Sequence, residues 1–382
     1  MRLDIERTPM VPANTYRLAG VLNAGQGLVA KGDLDGGDTE YTAMNVLRVD
    51  QVVMRKLTAW EGPITVVPAE FAGFVVSNEF PTFTLGPELE PDWMRYVCRS
   101  PRLWAEMKNR VSGTVQRRKR LNPEQLLQIE FPIPPRGIQM RMVEVIEAVD
   151  NQIAALVSET AALLKVESGL RHDLFSSLNE VATVPAGAKF DMRLGRQKSA
   201  RQTIGDHVYP YLRAANIGSG KLDLSDLKTM NFEPHEQAKY AVLPDDVLLV
   251  EGGSVGQAAL WAAEVGGFVG FDKHVIRIRA REGASTPQYA LQWCRWAHED
   301  GQFAAQATGI TIKALGFSRA SNMGVPDLPI AQQARFTGSL TVVAKQVAAT
   351  YAEAERLRQV RDRLLSGLLG RTVSIRSAEQ EL

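Results

Sequence analysis

Two stretches of the chain space their apolar residues alternately three and four apart, the period of a helix that packs along one seam. In the first, Met142, Ile146, Val149, Ile153, Leu156, Thr160, Leu163, Glu167, Leu170 and Leu174 occupy the seam, and eight of these ten are apolar. In the second, Phe336, Leu340, Val343, Val347, Thr350, Ala354, Leu357, Arg361, Leu364 and Leu368 keep the same register without a break. Each stretch follows a proline segment, PIPPRG at 132–137 and PDLP at 326–329. Proline has no N–H to extend a helix backwards, so these segments mark helix starts. A lone amphipathic helix lying on a core suits about 15 residues. The longer seam predicts two helices packed on each other. Upstream of each the pattern changes to short alternating runs rich in Gly, aromatic and β-branched residues, as in VLRVDQVVMRKLTAW and DDVLLVEGGSVGQAALW. Helical stretches at 92–111 and 286–300 follow these runs, so the order strands, short helix, loop, long helix occurs twice.

The recurrence is also visible residue by residue. Shifted by 194 positions, residues 121–174 align with 315–368 without a gap, and 14 of the 54 positions are identical; about three would match by chance from average composition. Pro132/Pro326, Pro135/Pro329, Gln139/Gln333, Arg141/Arg335, Glu159/Glu353 and Leu163/Leu357 are among them. A duplicated unit is the simplest cause. The expected organisation is a first strand-rich domain at 1–131, a long helix at 132–178, a linker or lead-in at 179–200, a second domain at 201–325, a second long helix at 326–370 and a tail at 371–382.

Composition narrows the function classes. The 382 residues exceed one ordinary core, and a hydrophobic fraction of 45% with 23% charged residues fits a folded, soluble protein. Lys and Arg number 44 against 43 Asp and Glu, a formal charge of +1, so any nucleic-acid contact must come from local patches. Cys98 and Cys294 are the two cysteines and form no ligand cluster, which fits buried thiols in a reducing compartment. The N-terminal MRLDIERTPM has no apolar leader core, and no run approaches the about 18 apolar residues of a membrane span. A cytoplasmic location with no membrane contact is the expectation.

Several short motifs bear on catalysis. Gly252-Gly253-Ser254-Val255-Gly256 matches G-x-S-x-G, with Asp272 and His274 following in the chain order of an α/β-hydrolase triad. A nucleophile elbow needs a helix after the serine, yet QAALW continues as a strand, and Asp272 and His274 sit two apart on one run. A glycine-rich turn is the better reading. Gly218-Ser219-Gly220-Lys221 lacks the spacing of a phosphate-binding loop and reads as a hairpin turn. Pro134-Pro135 is flanked by Ile133 and Arg136, without the amide and aromatic neighbours of an amino-methyltransferase motif. His172, His207, His235, His274 and His298 form no zinc pattern. Trp60 and Trp261 end analogous strand runs and read as core residues.

In the second half, YPYLRAANIGSGKLDLSDLKTMNF at 209–232, YAVLPDDVLLVEGGSVGQAALW at 240–261 and FDKHVIRIRA at 271–280 follow one another in order and spacing. The set resembles a target recognition domain of type I restriction-modification specificity subunits. The first half, with YRLAGVLNAGQGLVAKG at 16–32, VVMRKLTAWEGPITVVP at 52–68 and GFVVSNEFPTF at 73–83, is similar to another branch of that family. Both end in a loop and proline turn, GTVQRRKRLNPEQLLQIEFPIPP and GITIKALGFSRASNMGVPDLP, that look like the family's hinge into its long helix.

The resemblance implies an α+β fold: two mixed, strand-rich target recognition domains joined by two long helices in an antiparallel coiled coil, with a pseudo-twofold internal repeat. Spacing alone leaves a parallel pair open. It also implies a non-catalytic subunit that reads a bipartite, asymmetric double-stranded DNA target. Two methyltransferase subunits would dock on it, with restriction subunits as further partners. S-adenosylmethionine, ATP and Mg²⁺ would belong to those partners, and this chain would hold no cofactor and no metal. A protein–protein scaffold is the alternative, and a hydrolase using Ser254 the third reading. Candidate DNA contacts are Arg55, Lys56, Gln116 and the basic run Arg117, Arg118, Lys119 and Arg120 in the first half. In the second they are Arg213, Asn216, Lys221, Lys273, His274 and Lys313, side chains that can bond base edges or phosphates.

Overall fold

The computed structural model describes residues 1–112, 119–198, 205–218, 220–262, 265–310 and 313–370. The chain divides into two compact units, one of Met1–Val157 with Ala352–Leu382, the other of Ser158–Tyr351.

In the first unit, strands β1 (Arg2–Leu3), β2 (Glu6–Pro9), β3 (Thr15–Val21), β4 (Leu28–Asp35), β5 (Ala43–Val46), β6 (Val52–Met54), β7 (Ile64–Val66), β8 (Val75–Val76) and β9 (Thr82–Thr84) build two sheets. One has the order β1-β9-β6-β7 and the other β2-β5-β8-β3-β4. Helices α1 (Pro91–Cys98), α2 (Pro101–Arg110) and α3 (Pro123–Leu127) follow, each with proline in its first turn, where the missing N–H costs nothing. Then α4 (Arg136–Ser176) begins. The central strand β6 is wholly buried because it is covered on both faces. Val52 and Met54 face the helices, while Val53 packs with Ala19, Val67 and Val76 between the sheets.

The second unit repeats the plan. Its strands are β10 (Thr183–Pro185), β11 (Phe190–Leu194), β12 (Val208–Leu212), β13 (Lys228–Asn231), β14 (Val247–Val250), β15 (Ala258–Leu260), β16 (Gly270–Phe271), β17 (Val275–Ala280) and β18 (Gly324–Pro326). Helices α5 (Ala186–Lys189), α6 (Pro234–Tyr240), α7 (Pro287–Glu299), α8 (Gln302–Gln306), α9 (Phe317–Asn322) and α10 (Ile330–Gly370) complete it. The sheet order β11-β17-β14-β15 matches β1-β9-β6-β7 strand for strand, with an additional β13-β12-β16 sheet where the first unit has five strands. Central β14 is again wholly buried, Val247 and Leu249 towards α7, Leu248 and Val250 towards Leu212 and Phe271. The stretch read as a linker or lead-in holds β10, which pairs with β18, and β11, which pairs with β17.

Every seam position of both long helices is buried or half-buried. In the first unit Ile146, Val149 and Ile153 near the start of α4 share one core with Leu364, Leu368 and Leu369 at the end of α10. In the second, Phe175 at the end of α4 meets Phe336 near the start of α10, ring centres 4.9 Å apart. The pair therefore runs antiparallel in each unit. Among the described residues no helix is long and apolar enough to cross a membrane.

A buried glutamine joins each domain to its long helix. Gln139 Nε2 donates to the carbonyls of Glu88 and Pro134, and its Oε1 accepts from the Glu90 N–H, just before α1. Gln333 does the same with Ala284, Leu328 and Thr286, just before α7. Both side chains are fully enclosed.

Candidate nucleic-acid interface

Three loops meet where β6 ends. The Lys56 N–H donates to the Glu79 carbonyl, the Leu121 N–H to the Lys56 carbonyl and the Thr58 N–H to the Lys119 carbonyl. Ser112 and Arg120 exchange both backbone hydrogen bonds at 2.9 Å and so close the neck of the intervening loop. Above this frame Glu79 Oε1 lies 3.3 Å from Arg120 and 3.9 Å from Lys56, gathering two cations around one carboxylate. Arg120 remains more than half exposed and Lys119 is half-buried. Arg55 is committed: its Nε donates to the Leu57 carbonyl, and one terminal nitrogen donates to Asn23, Thr58 and Glu61. Gln116, Arg117 and Arg118 lie outside the described residues.

The second unit builds the same frame from different residues. The Glu251 N–H donates to the His274 carbonyl, Leu315 to Glu251 and Gly253 to Lys313, and Thr308 and Ala314 close the neck at 2.9 Å in both directions. Glu251 therefore takes the place of Lys56, His274 of Glu79, Lys313 of Lys119 and Ala314 of Arg120. Lys273, His274 and Lys313 are exposed. Glu251 Oε1 accepts from the Gly316 N–H at 3.1 Å. Burial raises the Asp272 carboxyl above its ordinary pKa, opposed by the His274 N–H it accepts and by neighbouring positive charge.

The remaining candidates sit on another loop. Asn216, expected to offer its amide to a base edge, is buried instead. Its oxygen accepts from the Arg213 N–H and its nitrogen donates to the Asp223 carbonyl, so it shapes a tight turn. Arg213 bonds the carbonyl and carboxylate of Asp226, and Lys221 lies 3.9 Å from the ring centre of Tyr351 on α10. Cation type was readable in the sequence; commitment to a neighbour was not.

The G-x-S-x-G stretch joins two antiparallel strands, β14 and β15, with no helix after the serine. Ser254 is exposed, and Asp272 accepts from the backbone of His274, not from its ring. Gly256 has φ +91°, and a Cβ there would sit 2.7 Å from the His298 ring. Its counterpart Gly62 is equally tight against Trp104, so turn geometry accounts for the glycine.

Glu79 and Glu251 were not singled out in the sequence. The signal that would have found them is the extension of the repeat upstream, where the offset is 195 at the frame, Lys56 pairing with Glu251 and Glu79 with His274, and 196 further on, Pro91 pairing with Pro287 and Cys98 with Cys294 at the same places in α1 and α7. The necks differ by two residues, which takes the offset back to 194 at Leu121 and Leu315.

No family model and no curated protein sequence matches this chain. Solved structures do. A chain from a type I R-M system, described for its complex assembly and conformational transition, matches over 97% of this chain and 99% of its own, with 15% identity and a TM-score of 0.57. The HsdS subunit from Thermoanaerobacter tengcongensis matches over 96% of this chain and 94% of its own, with 17% identity and a TM-score of 0.52. The chain has the fold of a type I specificity subunit. At such identities it is the architecture that is shared: two sheet-rich halves and the packed pair α4 and α10. In this specificity-subunit fold, the two three-loop frames occupy equivalent positions of the two halves.

Proposed function

We propose that the chain is the DNA-reading subunit of a type I restriction-modification complex. It recognises a bipartite, asymmetric double-stranded DNA target, one part per half, and directs two methyltransferase subunits and restriction subunits to it. Catalysis, S-adenosylmethionine, ATP and Mg²⁺ belong to those partners. The observation that carries this reading is the duplicated frame: the same backbone hydrogen bonds set a lysine at one matched address in both halves, Lys119 and Lys313, with Arg120 exposed on the frame in the first half and Lys273 in the second, in a chain whose net charge is only +1. Lys56, Lys119 and Arg120, with Gln116, Arg117 and Arg118 beside them in sequence, would meet DNA in the first half, and Lys273, His274 and Lys313 in the second. Arg55, Arg213, Asn216 and Lys221 hold the loops behind them.

Replacing Arg117, Arg118, Lys119 and Arg120 together by Ala should flatten the salt dependence of DNA binding. Removing one phosphate contact lowers the slope of log affinity against log salt by roughly 0.9. The slope is read by titrating labelled duplex at several salt concentrations, and an unchanged slope returns the run to ordinary surface. The purified chain should hydrolyse no ester and leave Ser254 unlabelled by a fluorophosphonate. Labelling that disappears in Ser254→Ala would reinstate the hydrolase.

A further inference from the structure

The two frames are identical in backbone and unlike in side chains, and the pattern of likeness is informative. At matched addresses the first half holds Lys56, Glu79, Lys119 and Arg120, and the second holds Glu251, His274, Lys313 and Ala314. Charge is reversed at the first address, changed at the second, kept at the third and absent at the fourth. Matched backbone bonds aim matched Cα–Cβ directions, so DNA meeting both frames in the same way would meet lysine at 119 and 313 but opposite chemistry at 56 and 251. Phosphates are the same on every base pair, whereas base edges differ.

We propose that Lys56 and Arg120, ordered by Glu79, read base identity in the first half-site, that Glu251 and His274 read it in the second, and that Lys119 and Lys313 make one sequence-independent phosphate contact in both. This rests on the DNA-reading function proposed above and assigns that function to particular side chains. The first trio is also specific about what it reads. Two donors, Lys56 and Arg120, are held beside one acceptor, Glu79, at 3.9 and 3.3 Å. Guanine offers the acceptors O6 and N7 in the major groove. The two cations match the two acceptors of guanine, and Glu79, with Oε1 between them and Oε2 enclosed, orders these donors before DNA arrives. In the second half Glu251 is tethered through one oxygen to the Gly316 N–H, and His274 is exposed beside it.

The test is selection from a randomised duplex library with the full chain and four variants. Arg120→Ala, Lys119→Ala, His274→Ala and Lys313→Ala all change exposed or half-exposed side chains, so folding is not at stake. Arg120→Ala should relax one G·C position in the first half-site, with about a tenfold loss of discrimination, and leave the second half-site intact. His274→Ala should relax one position in the second half-site only. Lys119→Ala and Lys313→Ala should lower recovery of all sequences alike. The assignment is overturned if Arg120→Ala or His274→Ala weakens every sequence equally, if either alters the other half-site, if the relaxed first-half position is A·T, or if a lysine variant relaxes a base. A parent chain that enriches no sequence overturns the DNA-reading function itself, and the assignment with it.

Discussion

Arg171→Met is expected to destabilise the second unit by about 3–5 kcal/mol, the usual result of stranding a buried partner. The Arg171 side chain is fully enclosed on α4. Its Nε donates to Gln292 at 2.8 Å, one terminal nitrogen to both oxygens of Glu299 and the other to Glu167 at 2.7 Å. Glu167 is 2% exposed and also accepts from Arg295. Without the guanidinium, Glu299 can turn to water, but Glu167 keeps one partner in a site that water does not reach. The equivalent position on α10 is Leu365, packed against the first unit's core, so an apolar side chain suits the helix itself. Converting Glu167 and Arg295 to methionine as well should therefore recover much of the loss, because no charge is then stranded.

Thiol reactivity resolves the units. Cys98 and Cys294 occupy equivalent positions, one per unit, and both are fully buried. Burial pushes the Cys98 thiol up to about 12 and the Cys294 thiol higher still, so neither reacts until its unit opens. In Arg171→Met, labelling of Cys294 by an aromatic disulfide should accelerate by about two to three orders of magnitude while Cys98 keeps its rate. Equal acceleration at both would show that the network does not act locally.

The second large effect is expected from the two glutamines. Gln139→Leu leaves the Glu90 N–H and the carbonyls of Glu88 and Pro134 without their bonds. At about 1–3 kcal/mol for each stranded buried group, the loss is on the order of 5 kcal/mol. Gln333→Leu strands the Thr286 N–H and the Ser285 hydroxyl that donates to the same oxygen, while the carbonyls of Ala284 and Leu328 lose one donor and keep Lys189 Nζ. Gln139→Leu should free Cys98, and Gln333→Leu should free Cys294. Since the sites share no partner, the losses should add in the double variant. Denaturant titration gives the sum, and a change under about 1 kcal/mol in either single variant would mean that backbone shifts or water replace the clamp.

These elements differ in how much of them the sequence revealed. The long helices were legible because a seam over several heptads has one helical solution, and α4 and α10 follow it. Even the misfit at Glu167 keeps its inward position, and Arg171 and Arg295 supply the reason. Gln139 and Gln333 were visible as an identity, but their purpose lies with Glu88 and Ala284, about fifty residues upstream of each. The strands β10 and β11 were not legible, because Thr183 pairs with Pro326 and Phe190 with Ala280, and no local period records so distant a partner. At the candidate interface, residue type pointed to Lys56, Arg120, Lys273, His274 and Lys313. The matching of Glu79 to His274 was hidden by offsets that drift from 194 to 196. Asn216 looked like a base reader because an amide's chemistry is the same whether it faces a groove or fastens a turn.

The necks at Ser112–Arg120 and Thr308–Ala314 enclose seven residues in one half and five in the other, yet both deliver the chain to the same hydrogen bond, at Leu121 and Leu315. Insertions and deletions there are insulated from the sheet below, since lengthening a closed loop adds only a few tenths of a kcal/mol of closure entropy per step. A change in length between the two strands of either neck therefore leaves the half below it free to fold as before.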